Sequence, residues 1–134
     1  MFIIQGWGTD QRVWPQWLKD SGTCYSKNLP QFQVVEQEFL QCFSVKQKKL
    51  TILGWSLGSM LALELAHKHG DKIAQLVLIS PTAKFISSGD YEVGLPSGVL
   101  KNLQRKLSRN KEVTQQSFYS LMFSYSEDNF RHNF

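Results

Sequence analysis

Gly54-Trp55-Ser56-Leu57-Gly58 is the stretch of this chain whose residue types and spacing best suit covalent chemistry. It fits G-x-S-x-G, in which a serine stands on a sharp turn between a strand and a helix. Such a turn strains the serine backbone, and side chains two residues to either side would collide. It would hold the Ser56 hydroxyl clear of the sheet, at the positive end of the next helix, where main-chain amides can stabilise an oxyanion. Ser59 and Ala62 are also small, which eases close approach of that helix to the strand. The chemistry implied is nucleophilic acyl transfer with Ser56 as nucleophile.

A second stretch complements the first. Gln5-Gly6-Trp7-Gly8 follows an apolar run at the N-terminus, where a loop can bring another amide to the nucleophile. Gly6 and Gly8 would let the main chain bend toward Ser56. The amides of Trp7 and Leu57 are the candidates for the oxyanion hole, although Trp7 also suits a plain core position.

A serine nucleophile needs a base, and the histidines supply none readily. His67 and His69 lie near the end of the helix after the elbow, two residues apart and so not on one face. A surface place near the negative helix pole suits them better. His132 is the only histidine in the right order, but no strand precedes it to aim it. Asp90 and Asp128 have equally weak claims to the acid role. Cys24 and Cys42 form no metal spacing and no dense disulfide framework, and no cofactor or metal is implied.

Several elements must position these groups. Phe2 to Ile4 reads as a buried strand entering the glycine loop, and Trp14, Trp17 and Leu18 as a short helix after it. Thr23 to Tyr25 reads as a brief strand. Phe32, Val35, Phe39, Cys42 and Phe43 trace one helical face. Leu50 to Leu53 is a strand ended by Gly54, Leu57 to His69 a helix stopped by Gly70, and Ile73 to Ile79 another strand. Near-continuous apolar strands alternating with helices predict a parallel sheet covered by helices. Residues 84 to 98 read as a loop, and Val99–Leu107 and Val113–Tyr125 as two amphipathic helices.

The 134 residues, 42% hydrophobic and 19% charged, describe a globular chain with a core of useful size. Net charge is +4, and Lys101, Arg105 and Arg109 recur every four residues on one helix face. That stripe suits an acidic partner, or simply a solvated face. It is short and without a recognition module, which disfavours nucleic acid. The N-terminus has no basic, apolar leader, and no stretch is long enough for a membrane span. The expectation is a soluble, cytoplasmic protein with reduced thiols.

The Gly6-Trp7-Gly8 loop followed by Val13-Trp14, the Gly54–Gly58 elbow and the helices after Pro81 together resemble the pimeloyl-[acyl-carrier-protein] methyl ester esterases of biotin synthesis. These are α/β-hydrolases with a helical lid. The family writes His where this chain has Gln5. The resemblance implies an α/β-hydrolase fold, with 1–83 the N-terminal part of the core and 84–134 the lid. It also implies that the chain is truncated before the strands that deliver the catalytic Asp and His. The strand Ile73–Ile79 would then have an uncovered edge open to self-association. The basic stripe would receive an acyl carrier protein, and Phe118, Tyr119, Ser120, Leu121 and Met122 would line the acyl pocket. The expected function is a serine carboxylesterase cleaving a carrier-bound acyl methyl ester. The alternatives are a thioesterase or lipase of the same fold, or a non-catalytic fragment that binds an acyl carrier protein.

Overall fold

A computed structural model describes residues 1–21, 23–26 and 31–122. The chain divides into two compact units, Met1–Ala83 and Lys84–Phe134.

In the first unit the apolar runs become β1 (Phe2–Ile4), β2 (Cys24–Tyr25), β3 (Leu50–Trp55) and β4 (Ile73–Ile79). They form one sheet in the order β2-β1-β3-β4, and every neighbouring pair is parallel. Parallel neighbours need a crossover rather than a tight turn. The crossovers contain α1 (Gln16–Asp20), α2 (Phe32–Lys46) and α3 (Leu57–His69).

Helices cover both faces of the sheet. Val35, Phe39 and Cys42 of α2 and Leu61, Ala62 and Leu65 of α3 pack against Phe2, Ile4, Leu50 and Ile52. The Phe2 and Phe39 rings meet edge to face, 5.6 Å apart. On the other face Ile3 packs with Trp14, Leu18, Leu53 and Trp55. Successive residues of β1 therefore serve opposite cores, as the pleat requires. At the far end of α3, His69 Nε2 lies 2.7 Å from Glu36 Oε1, and Lys68 sits 4.2 Å over the Phe32 ring. These contacts fasten α3 to α2.

Several expectations need correction. The short helix read over Trp14, Trp17 and Leu18 begins only at Gln16, so Trp14 precedes it, and within it Leu18 is buried while Trp17 is 71% exposed. Gly54 does not end its strand, since β3 runs on to Trp55. Gly70 stops α3 without a left-handed cap: its φ of −56° is right-handed, and the chain continues as a 3-10 turn over Gly70–Lys72. Cys24 and Cys42, expected as reduced thiols, are joined in a disulfide between β2 and α2 with their Cα atoms 6.4 Å apart. Sequence spacing could not reveal that pairing, because only the packing of α2 over the sheet brings the two together.

The apolar run of β4 is less buried than its composition predicts. Ala74, Gln75 and Ile79 are exposed, and among the described residues no strand pairs with its outer edge. In the second unit the loop after Ala83 closes on itself through Ser87 N–H to Leu95 O and Leu95 N–H to Phe85 O, both 2.9 Å. It leads into α4 (Ser97–Arg109) and α5 (Lys111–Met122). Asn110 Oδ1 caps α5 by accepting the Val113 N–H at 3.1 Å. Residues 123–125, expected to continue that helix, lie outside the described residues. No helix among the described residues is long and apolar enough to cross a membrane.

Candidate active site

β3 delivers Ser56 to the mouth of the sheet and α3 begins at the next residue. Ser56 has φ 54° and ψ −119°, a conformation that costs a non-glycine residue about 1–3 kcal/mol and persists only where its surroundings impose it. Here the surroundings do. The Ser56 N–H donates to Ile79 O at 2.9 Å, and Ser56 O accepts from the Ser59 N–H at 2.8 Å. The fully buried Ser59 Oγ is placed to donate to Gly54 O at 2.7 Å and Ile79 O at 3.0 Å. Ser59 was legible from the sequence only as a small residue. Its hydroxyl turns out to clasp the elbow to the ends of β3 and β4.

The two motif glycines answer different steric demands. A Cβ on Gly54 would stand 2.7 Å from Gly58 O and 2.9 Å from Ala62 Cβ, so this glycine lets α3 approach β3. A Cβ on Gly58 would stand 2.6 Å from Gln5 O and closer still to Ile4 O. That second glycine lets α3 approach the end of β1.

The same approach brings the glycine loop to the nucleophile. A Cβ on Gly6 would lie 3.4 Å from both Ser56 Cβ and Trp55 Cε3. The loop turns through Gly8 at φ 76°, and the Thr9 Oγ1 hydroxyl donates to Gly6 O at 2.9 Å. Beyond it, Asp10 accepts from the Arg12 N–H and side chain, and these bonds hold its carboxyl below the usual carboxylate range. Gln5 is 5% exposed, and its Nε2 donates to Ser26 O at 2.9 Å. Ser26 Oγ in turn donates to Glu38 Oε2 on α2 at 2.7 Å. Trp7 and Leu57 are both half-buried. Leu57 opens α3, where first-turn amides have no intrahelical acceptor. Such amides can stabilise negative charge on an attacked carbonyl.

Among the described residues no base is brought to Ser56. His67 and His69 lie at the C-terminal end of α3, roughly 18 Å from its start by helical rise. His69 is engaged by Glu36. Asp90 lies on the exposed loop of the second unit, bonded to Ser88 and paired with Lys84. His132 and Asp128 lie outside the described residues.

In the second unit Lys101, Arg105 and Arg109 are exposed on α4, while Leu100, Leu103 and Leu107 are half-buried. On α5, Phe118, Tyr119 and Met122 are half-buried and Ser120 exposed. Leu121 is 85% exposed. A groove of about 370 Å³ is lined by Leu103 and Arg109 of α4 and by Val113, Phe118 and Leu121 of α5. Of the cationic stripe only Arg109 lines this groove, beside Phe118 and Leu121 of the aromatic segment.

A family model described as the alpha/beta hydrolase fold matches residues 33–129. The chain belongs to the α/β-hydrolase family. An esterase of this fold from Exiguobacterium antarcticum superimposes with a TM-score of 0.73 at 16% identity, over 98% of this chain and 59% of the esterase. Among curated proteins, the chain is 32% identical to a pimeloyl-[acyl-carrier protein] methyl ester esterase of Nitrosomonas europaea, over 62% of this chain and 33% of the relative. A protein of the same name from Legionella pneumophila (strain Corby) is 25% identical over 98% of this chain and 58% of the relative. This α/β-hydrolase chain thus spans under two thirds of the length of those relatives.

Proposed function

We propose that the chain carries the nucleophile-bearing part of a serine carboxylesterase, with Ser56 as nucleophile and the Trp7 and Leu57 amides as the oxyanion hole. The observation that carries the reading is the Ser56 backbone, held at φ 54° with the Gly6 loop against its Cβ. A strained serine at a strand-to-helix turn, beside a glycine loop, is the arrangement that nucleophilic acyl transfer needs. The substrate is the methyl ester of an acyl chain on an acyl carrier protein, the pimeloyl chain first. The names of the relatives support that choice.

Ser56 Oγ attacks the ester carbonyl and its proton passes to a general base. The oxyanion rests on the two amides, and collapse expels methanol, which takes up that proton. Water then attacks the acyl-serine and releases the free acid. The base and its orienting acid are assigned to none of the described residues. The exposed stripe Lys101, Arg105 and Arg109 receives the acidic carrier, by steering as much as by affinity. Phe118 to Met122 contact the acyl chain, a role supported by the groove that Phe118 and Leu121 share with Leu103.

A second reading, a non-catalytic module that binds an acyl carrier protein, is favoured by the His69–Glu36 pair, which commits that histidine far from Ser56. Labelling with a fluorophosphonate probe separates the two, with Ser56→Ala as the control. Ser56-dependent labelling supports the esterase. A folded, soluble chain that stays unlabelled supports the binding module. In either case the outer edge of β4 pairs with a second copy, and elution as a monomer in sizing chromatography would count against that.

A further inference from the structure

We propose that Gln5 is the positioning residue of the oxyanion loop, acting through a hydrogen-bond relay from its buried amide to Ser26 and Glu38. The proposal rests on the reading of Ser56 and the Gly6–Gly8 loop given above. β1 ends at Ile4, so the ladder stops one residue before Gln5 and something else must hold the chain there. Two contacts do so from opposite sides. The main chain of Ile4 and Gln5 lies against Gly58 in the first turn of α3, close enough to leave no room for a Cβ. The Gln5 side chain reaches the other way, donating from Nε2 to Ser26 O just past β2. Ser26 is itself fully buried and anchored twice, by its N–H to Ile3 O at 2.9 Å and by its Oγ to Glu38 on α2.

The orientation of the amide is forced, because a carbonyl can only accept and so Nε2 must face Ser26 O. Gln5 Oε1 is buried and has no hydrogen-bond partner among the described residues. A buried acceptor left unpaired costs stability, and a core position selected for packing alone would take an apolar side chain instead. What the side chain contributes at this position is therefore its donor. That donor fixes the point from which Gly6 departs to run beside Ser56, so close that a Cβ on Gly6 would lie 3.4 Å from Ser56 Cβ. An oxyanion donor must lie within a few tenths of an ångström of its ideal place, and a misplacement of about 1 Å costs roughly a hundredfold in rate.

The test compares Gln5→Ala, Gln5→Glu and Gln5→His in the full chain. Gln5→Glu keeps the size and, measured at a pH high enough to ionise it, loses the donor, whereas Gln5→His restores an N–H. Deuterium exchange of the 6–9 segment is read beside that of β3, together with the rate of Ser56 phosphonylation by the fluorophosphonate. The expectation is exchange about tenfold faster at 6–9 in the alanine and glutamate variants, as the amides there lose their fixed protection. Exchange in β3 stays unchanged, phosphonylation falls roughly a hundredfold, and Gln5→His recovers both. Unchanged exchange at 6–9, or an increase shared equally by β3, would overturn the proposal. Absence of phosphonylation in the parent chain would count against the esterase reading alone, since the exchange comparison still decides the role of Gln5.

Discussion

Replacement of Gly58 by alanine tests the close approach on which the whole site depends. Gly58 lies inside α3, so by helix propensity alone alanine should stabilise the chain by about 1 kcal/mol. The local geometry argues the opposite. The new Cβ would meet Gln5 O at 2.6 Å, about 0.7 Å inside the closest comfortable carbon–oxygen separation of roughly 3.3 Å. Neither neighbour can swing aside, because both are main-chain carbonyls and Ile4 is locked in register with Gly54 of β3. Overpacking of this kind costs about 1–3 kcal/mol, more where backbone must move. Taking the upper end and subtracting the propensity gain leaves a net loss of about 2 kcal/mol. In a unit of this size that lowers Tm by roughly 8–16 °C.

Gly70→Ala is the matched control. Its φ is −56° and nothing stands within 4 Å of its would-be Cβ, so alanine should gain about 0.4–1 kcal/mol. Thermal and urea unfolding followed by circular dichroism reads both variants. If Gly58→Ala melts at or above the parent chain, the contact between α3 and the end of β1 is refuted. That contact then cannot be what sets the loop against Ser56.

Two further outcomes follow from the packing. The Cys24–Cys42 link closes a separation of 18 residues, so reduction should destabilise the chain by about 3 kcal/mol on the loop-entropy model. The unreduced protein should show no titratable thiol, and finding two would contradict the pairing. Charge reversal at Lys101, Arg105 and Arg109, all exposed on α4, should slow association with an acyl carrier protein at least tenfold at low salt, and the difference should shrink as salt rises. A salt-independent affinity equal to that of the parent chain would remove the stripe from any docking role.

Much of the core was legible because its elements announce themselves locally. The runs Phe2–Ile4 and Ile73–Ile79 and the helix Leu57–His69 stand where apolar periodicity puts them, since burial on a sheet imposes a period the chain must already carry. The elbow was legible for a related reason. G-x-S-x-G is a steric requirement written into consecutive residues, and the strain at Ser56 follows from what its neighbours lack. By contrast, Trp14 misled, since it precedes the helix it was read into, because three aromatic or aliphatic residues at helical spacing say nothing about where the helix starts.

What tertiary structure alone decided is everything that joins residues distant in the chain. The relay from Gln5 through Ser26 to Glu38, the Ser59 clasp on Ile79 O and the Cys24–Cys42 link all span separations over which sequence pattern carries no signal. Each depends on which strands are neighbours and in what register. The sequence by itself determined a strand, a serine on a turn, and a helix. The order β2-β1-β3-β4 decided what would stand around that serine, because a parallel sheet sets the ends of non-consecutive strands side by side and lets their loops meet.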